Sequence, residues 1–213
     1  MNIISIVIFL SLFSSVFSLN ANANDEKNEY IQDYKEFFPL ENEVRDADRI
    51  SIFFSFASKE SYDLLVKKDL IGRLKSLRLK FSLYHVDFYS PFDQYLSNGW
   101  YGADKSNLQD QLFYEIFNNI QSGKSPSSEL DIRRAFAKAG ASYKLFISYY
   151  HPINPGAYSR ELKRIKMIKE LGVTSVPSVY INGKYLINEG VMSTIDDAVP
   201  NEYTTILDYF YYQ

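Results

Sequence analysis

The sequence predicts an α/β fold in which a helical block interrupts a small sheet. Two strand-like apolar segments flank one helical pattern near the start of the chain, and a β-hairpin signal lies far downstream. Between them the periodicity is predominantly helical. A chain of 213 residues is long enough to bury one substantial core, so we expect one main domain.

The first residues are typical of a secretory signal. An apolar run from Ile3 to Phe17 precedes Ala21-Asn22-Ala23, a pattern of small residues that signal peptidase accepts. The run is short for a membrane crossing. We therefore predict that residues 1–23 are a signal peptide and that the mature protein is periplasmic or otherwise exported. No membrane association is expected after cleavage.

The next elements follow from local pattern. We predict that residues 25–42 form an irregular lead-in that docks through its aromatic rings. The β-branched and aromatic segment Ile50–Phe56 predicts a buried strand, and Phe81–Phe88 predicts a second one. Between them the apolar spacing is helical, with Ser58 as the N-cap and Glu60 favourably placed in the first turn.

Three segments between Pro91 and Leu171 carry helical periodicity. The last of them has an apolar stripe that we predict to face the core, formed by Leu162, Ile165, Ile168 and Leu171. Gly172 follows as the predicted C-cap. Acidic residues interleave with the basic ones of this segment, which indicates an ordinary solvated face rather than contact with a membrane or a nucleic acid. These basic residues are Arg160, Lys163, Arg164, Lys166 and Lys169.

The C-terminal segments complete the pattern. Val176–Ile187 predicts two short strands, because Asn182-Gly183 between them is a strong hairpin signal. The aromatic tail predicts a helix or strand that packs on the core. This element order is that of a thioredoxin fold with a helical insertion. We predict the first part of the thioredoxin domain at residues 24–90, the helical insertion at 91–171 and the second part at 172–213.

Four segments resemble, in the right order, parts of the DsbA family of periplasmic disulfide oxidoreductases. They are Phe53–Phe56, Tyr84–Phe88, Asp131–Gly140 and Gly172–Asn188, which read "FFSF", "YHVDF", "DIRRAFAKAG" and "GVTSVPSVYINGKYLIN". The last one resembles the stretch around the family's cis-proline, here Val176-Pro177. The resemblance implies a DsbA-like α/β architecture, a thioredoxin fold with an inserted helical domain.

The chain departs from this family at its reactive centre. Where the family has two cysteines, this chain has Ser58 and Ser61, and it contains no cysteine. Disulfide exchange needs a thiolate, and a hydroxyl cannot form a disulfide. The resemblance also places Ile52 and Leu83 where many members carry a buried glutamate and lysine. Packed apolar side chains often replace such a pair without loss of stability. We therefore predict no thiol:disulfide oxidoreductase activity.

The peptide-binding half of the family's site is predicted to remain. In the family the cis-proline loop pairs with an extended peptide through backbone hydrogen bonds. The resemblance places a corresponding groove at Phe56, Ala57, Tyr62, Val176 and Pro177. The leading hypothesis is a chaperone-like accessory factor that binds extended or unfolded exported polypeptides. Two alternatives stay open: a family member whose disulfide-interchange activity is lost, and a structural subunit of an exported assembly.

Other chemistry has weaker support in the residues. Ser58, His85 and Asp87 are residue types of a hydrolase triad, but no Gly-x-Ser-x-Gly elbow surrounds the serine. The chain has two histidines, His85 and His151, and no cysteine, which gives no recognisable metal motif. The segment before Gly123-Lys124-Ser125 lacks the first glycine of a phosphate loop. A net charge of −3 gives no field that attracts nucleic acid. We expect no metal, no cofactor and no nucleic-acid partner.

Overall fold

A computed structural model of the chain describes residues 37–103, 108–123, 128–144, 147, 155–187, 207 and 211–212. The predicted signal peptide, Lys124-Ser125, His151 and most of the C-terminal tail lie outside these residues. Within them the strands are β1 Phe37–Pro39, β2 Ile50–Phe54, β3 Ser82–His85, β4 Ser178–Ile181 and β5 Tyr185–Ile187. They form one sheet in the order β1-β5-β4-β2-β3, in which β2 and β3 are parallel and the other neighbours are antiparallel.

The helices follow the order that the periodicity predicts. They are α1 Lys59–Tyr62, which continues as a π-helical turn over Asp63–Lys67, α2 Leu70–Ser76, α3 Asp93–Ala103, α4 Gln109–Gln121, α5 Glu129–Lys138 and α6 Pro155–Glu170. Helices α3 to α6 lie between β3 and β4 in the chain. The predicted thioredoxin fold with a helical insertion is therefore confirmed.

The core lies on both faces of the sheet. Strand β2 is buried along its whole length and has a neighbour on each side, which explains its continuous apolar sequence. Side chains of a strand alternate between faces. Accordingly Phe54 packs among aromatic residues of the insertion, such as Trp100 and Phe113, whereas Phe53 packs with Tyr84 and Met167 on the other face.

Two local predictions are confirmed at turns. Asn182 and Gly183 have φ of 54° and 63°, the left-handed conformation that a tight hairpin between β4 and β5 requires. Gly172 ends α6 with φ of 65°, and the next residue, Val173, donates its N–H to the carbonyl of Ile168. In the tail, Leu207 is buried in the core and Tyr211 packs against it.

The predicted lead-in and the second strand need correction. Residues 37–39 form strand β1, in which Phe38 pairs with Leu186 of β5, instead of an irregular segment. A strand of three residues that ends in proline carries no alternation that a sequence pattern can detect. Strand β3 ends at His85 and not at Phe88.

The predicted core stripe of α6 is also wrong in part. Leu162 and Ile165 are 48% and 49% exposed, whereas Arg164 and Met167 are each 1% exposed. Leu171 is buried as expected. The helix is rotated relative to the prediction because it packs through Arg164, which contacts carboxylates outside the predicted stripe. Across the part of the chain that the structure describes, no helix combines the length and apolarity needed to cross a membrane.

Candidate functional site

The two serines lie at one end of the sheet, which we call the serine end. Parallel strands β2 and β3 place the segments that follow them, residues 55–58 and 86–92, at the same end. Strand β4 is antiparallel to β2, and its first residue, Ser178, pairs with Phe53. The loop of residues 175–177, with its cis Val176-Pro177 bond, therefore begins at this end as well.

Ser58 is a helix cap. It is fully buried and has an extended backbone, and its hydroxyl accepts the N–H of Ser61 at 3.0 Å. The same hydroxyl donates to a carboxylate oxygen of Glu60 at 3.0 Å. The predicted N-cap and first-turn positions of these residues are confirmed. The Ser58 hydroxyl is thus engaged in holding the start of α1.

Ser61 is the second residue that the resemblance places at a cysteine position of the family. Its side chain is fully buried, and its hydroxyl has no hydrogen-bond partner among the described residues. Within the described ranges, which include His85 but not His151, neither serine is hydrogen-bonded to a histidine that could act as a base. The pair has no thiol, and the described residues provide no base that would activate either hydroxyl.

Ile52 and Leu83 are direct neighbours across β2 and β3. Ile52 is fully buried, and the partly buried Leu83 packs against the same core cluster. At the positions where the resemblance implies a charged pair, the chain therefore has an apolar contact beneath the serine end.

Beside the serines lies a buried polar group that we call the Asp93 cluster, formed by Ser55, His85, Asp93 and Ser97. The Asp93 carboxylate accepts the hydroxyl of Ser55 at 3.0 Å. It also accepts the hydroxyl of Ser90 at 3.0 Å and the N–H groups of Tyr89 and Ser90 at 2.9 and 2.6 Å. Burial raises the pKa of Asp93, while the hydrogen bonds from Ser90 and Ser55 oppose that rise.

His85 is the other titratable member of the cluster. Its Nε2 accepts the backbone N–H of Phe56 at 3.2 Å, so Nδ1 carries the proton and donates it to Ser97 Oγ at 2.7 Å. Burial, reinforced by the nearby Arg164 guanidinium, holds the pKa of His85 well below its usual value. The imidazole is therefore neutral at pH 7.

The possible hydrolase triad is not assembled. His85 bonds to Phe56 and Ser97 instead of Ser58. Asp87 lies beyond the end of β3, so the two-residue alternation that would place it on the same face as His85 no longer applies. Its carboxylate accepts a hydrogen bond from Arg164 instead.

Arg164 corrects the prediction of a fully solvated basic face on α6. Its guanidinium donates to Glu161 and, at 2.7 Å from Nη2, to Asp87. These hydrogen bonds tie α6 to the segment that follows β3. The burial of Arg164 was not predicted from the sequence, because arginine is usually a surface residue. Its burial becomes apparent only when the fold brings Asp87 next to its guanidinium.

The residues of the predicted groove differ in exposure. Phe56 is fully buried, with its ring stacked on His85 at 4.8 Å, so its side chain offers no surface to a peptide. Val176 and Pro177 are also buried. Ala57 and Tyr62 are partly exposed, and the Tyr62 hydroxyl donates to Asn118 of α4. Contacts of the three buried residues with a peptide would have to come from their backbone.

Sequence reasoning missed an exposed aromatic set at the same end. Phe88 and Tyr89 follow β3, and Tyr95 lies in the first turns of α3; these side chains are 47%, 48% and 47% exposed. Phe88 was expected inside a strand. The turn-forming pair Ser90-Pro91 directly after two aromatic residues was the signal that these rings leave the sheet.

The serine end and the fold define a thioredoxin-type protein with a helical insertion whose reactive positions are serines. The chain is 25% identical to the thiol:disulfide interchange protein DsbA of Salmonella typhi over 206 residues, which are 95% of this chain and 96% of that protein. A crystal structure of DsbA from Proteus mirabilis has a TM-score of 0.75 and 22% identity over 85% of this chain and 97% of its own.

A second Proteus mirabilis structure, of a DsbA variant with a cysteine replaced by serine, holds a non-covalently bound peptide. It has a TM-score of 0.74 and 23% identity, and the similarity covers 84% of this chain and 97% of that one. No protein-family model matches the sequence. The chain is therefore similar to DsbA proteins over nearly its whole length and shares their fold, and it contains no cysteine.

Proposed function

We propose that this protein binds extended or unfolded polypeptides at its serine end, as an exported, chaperone-like factor without disulfide chemistry. The observation that carries the proposal is the set of exposed aromatic rings, Phe88, Tyr89 and Tyr95, beside a centre that has no thiol. Exposed apolar side chains grouped at one site favour contact with another chain. Tyrosine and phenylalanine supply much contact area for little loss of side-chain entropy.

The shape of the serine end supports a non-covalent mode. Ser58 and Ser61 are buried, so a bound peptide would meet backbone and rim side chains and not the hydroxyls. The Asp93 cluster holds the backbone of residues 55–57, because Ser55 Oγ accepts the N–H of Ala57 and His85 accepts the N–H of Phe56. A fixed backbone lowers the entropy cost of pairing with an extended chain.

The Proteus mirabilis variant gives a precedent. There a cysteine is replaced by serine and a peptide is bound without a covalent bond. This chain has serine at both family positions by its own sequence. We infer that the same non-covalent mode is the normal one here, and that the apolar N-terminal segment directs the protein to an exported location.

Binding of a fluorescein-labelled extended peptide, followed by fluorescence anisotropy, tests this proposal. The probe is a ten-residue peptide of alternating serine and leucine. We expect saturable binding that Phe88→Ser weakens about tenfold, because a half-exposed ring at a contact contributes on the order of 1–2 kcal/mol.

Phe38→Ser is the matched control. Phe38 is 49% exposed, close to the 47% of Phe88, but lies on β1 at the opposite edge of the sheet. It should leave the affinity unchanged. Equal loss in both variants, or no saturation with the unmodified protein, would contradict the proposal.

Restoring Ser58→Cys and Ser61→Cys together separates this proposal from the alternative of family descent with lost activity. A cysteine at the start of a helix has a lowered pKa and can exchange disulfides. We expect the double variant to oxidise a dithiol peptide and the parent to show no turnover above the uncatalysed rate. Turnover by the parent protein would contradict the prediction that a chain without cysteine has no disulfide-exchange activity.

A second candidate, a structural subunit of an exported assembly, is favoured by one observation. Tyr158, Leu162 and Ile165 are exposed on one face of α6 at helical spacing. Isolation of the protein from its native compartment distinguishes the two functions. A single partner in fixed stoichiometry would favour the assembly subunit, and a range of sub-stoichiometric clients would favour the chaperone-like factor.

A further inference from the structure

The outward face of α6 carries a row of exposed side chains, which we call the α6 stripe. It consists of Tyr158, Leu162, Ile165 and Lys169. An α-helix turns about 100° per residue, so these four side chains lie within an arc of about 60°. Exposed apolar side chains grouped on one face favour contact with another protein surface. The stripe is therefore a candidate interface outside the serine end.

The opposite face of α6 packs on the rest of the protein. Arg164, Met167 and Leu171 are buried, and the last two belong to the core cluster that contains Phe53 and Tyr84. At about 100° per residue, these buried side chains point about 170–230° away from the middle of the stripe. Packing of α6 on its own core therefore does not explain the apolar character of the stripe.

The stripe has the same spacing when it is read in either direction. Its residues follow one another at intervals of four, three and four positions. Intervals of three and four are those at which two packed helices share a contact seam. A two-fold axis brings the same surface patch of two copies together. About an axis between Leu162 and Ile165, two antiparallel α6 helices place Leu162 of each copy against Ile165 of the other.

The two ends of the stripe are complementary to each other. In the antiparallel arrangement, Tyr158 of each copy meets Lys169 of the other, and an ammonium group is attracted to the face of a tyrosine ring. The exposed side chain of Lys169 has no ion pair or hydrogen bond with a described residue, whereas Lys166 is paired with Asp46. Parallel packing would instead bring the two copies of Lys169 together, and like charges repel. The charge pattern therefore favours an antiparallel pair of identical chains.

The border of the stripe is charged. Lys166 lies on one side of it, paired with Asp46, and Glu161 lies on the other side, paired with Arg164. An apolar centre with a polar rim is typical of protein interfaces. One pair of helices buries less area than a standard interface of about 1,600 Å², so we expect a dissociation constant on the order of 10–100 µM.

We propose that this protein forms a two-fold symmetric dimer in which the α6 stripes of two copies pack antiparallel. The occupant of the stripe is thus a second copy of the same chain. The stripe contains no residue of the segments that form the serine end, so each dimer carries two serine ends. An extended chain long enough to reach both is held more tightly than by one. That last consequence rests on the proposed function, whereas the dimer itself does not.

Sedimentation velocity of the purified protein between about 1 and about 500 µM tests the dimer. We expect the weight-average sedimentation coefficient to rise from the monomer value toward the dimer value over this range. Leu162→Glu should weaken dimerisation at least about thirtyfold, because the substitution occurs twice and places two carboxylates near the axis. Leu130→Glu is the matched control, since Leu130 is 43% exposed, close to the 48% of Leu162, but lies on α5. It should leave dimerisation unchanged.

An exchange of the two end residues tests the antiparallel arrangement. Tyr158→Lys alone should weaken dimerisation about tenfold, because the introduced lysine faces Lys169 of the other copy. The double variant Tyr158→Lys/Lys169→Tyr again places a lysine against a tyrosine at both ends. We expect its dissociation constant to return to within about threefold of the parent value. Both positions are exposed, so altered folding of the core does not explain a loss followed by a recovery.

A protein that stays monomeric at about 500 µM would overturn the proposal and leave the stripe to a different protein. Equal losses in Leu130→Glu and Leu162→Glu, or no recovery in the double variant, would overturn it as well. Anisotropy with the labelled serine–leucine peptide keeps the proposed function separate. Leu162→Glu should bind that peptide as the parent does, and Phe88→Ser should dimerise as the parent does.

Discussion

The serine pair and the Asp93 cluster lie side by side at the serine end but differ in how their polar atoms are satisfied. Asp93 accepts four hydrogen bonds, and both ring nitrogens of His85 are bonded. In contrast, Ser61 has a buried hydroxyl without a partner in the described part of the chain. Within the serine pair, the Ser58 hydroxyl is bonded as the cap of α1, so among the described residues the unsatisfied hydroxyl of the pair is that of Ser61.

This difference indicates which interactions maintain the shape of the serine end. The Asp93 cluster links the segment after β2 with the segment after β3 and the start of α3. None of these bonds involves the side chain of Ser58 or Ser61. The links between these three segments are therefore independent of the two serine side chains.

The largest expected effect is that of Asp93→Ala. Removal of the carboxylate leaves the buried Ser55 hydroxyl and the two loop N–H groups without their acceptor. We expect the free energy of unfolding to fall by about 3 kcal/mol, because each buried group that loses its partner costs about 1–3 kcal/mol and the loop groups can recover some bonds to water. Urea unfolding measures the change.

Asp93→Asn is the matched control, since it keeps one acceptor oxygen and nearly the same volume. Its loss should be about half that of the alanine variant. If both variants unfold at the same urea concentration as the parent, the cluster does not hold this end of the sheet.

The next largest expected effect is a loss of folding stability at low pH that depends on His85. His85 stays neutral in the folded protein because its pKa is lowered, whereas an unfolded histidine binds a proton below about pH 6.5. The unfolded state then holds more protons, so stability is full above that pH and decreases as the pH falls. Between pH 7.5 and 5.5 we expect His85 to contribute a loss of about 1.4 kcal/mol.

The variants His85→Gln and His151→Gln separate the two histidines of the chain. The free energy of unfolding is measured by urea titration at successive pH values. His85→Gln should remove most of the decrease in this free energy toward low pH, whereas His151→Gln should keep the decrease that His85 causes. The raised pKa of Asp93 acts with the opposite sign, since its proton is held more tightly in the folded state and its ionisation lowers stability as the pH rises. An unchanged slope in His85→Gln would show that the imidazole is not held neutral.

The smallest effects distinguish the two serines. Ser58→Ala should lower stability by about 1 kcal/mol, because it removes the cap that accepts the N–H of Ser61. Ser61→Ala should leave stability unchanged or raise it by up to about 0.5 kcal/mol, since it removes a buried hydroxyl without a partner. Thermal or urea unfolding of the two single variants measures this difference in stability. A larger loss of stability in Ser61→Ala than in Ser58→Ala would contradict the prediction.

Local pattern was sufficient to predict much of the fold. The apolar segment at Ile50 predicted β2, Asn182-Gly183 predicted the hairpin, and Ser58 was recognised as the start of a helix. Each of these signals depends on residues that are close together in the chain. The hairpin is an example, since Asn182 and Gly183 are neighbours and adopt the positive φ that a tight turn needs. The absence of cysteine is visible in the sequence itself, whereas the assignment of Ser58 and Ser61 to the family's cysteine positions stays a prediction.

The remainder depends on contacts between distant residues. Arg164 is buried because Asp87 and Glu161 meet its guanidinium, and this rotates α6 so that Leu162 and Ile165 face outward. The Asp93 cluster likewise joins Ser55 with residues more than thirty positions away. The periodicity of apolar residues in α6 does not show which face of the helix is buried when an ion pair with another segment determines its packing.

The ion pair at Arg164 has a mechanical consequence. A hinge that moved α6 away from the segment after β3 would have to separate a guanidinium that is 1% exposed from Asp87. The separation would leave the buried guanidinium with Glu161 as its remaining carboxylate partner, and because Asp87 is 35% exposed, water would offset part of the lost interaction. The long helix of the insertion and the segment after β3 should therefore move as one body.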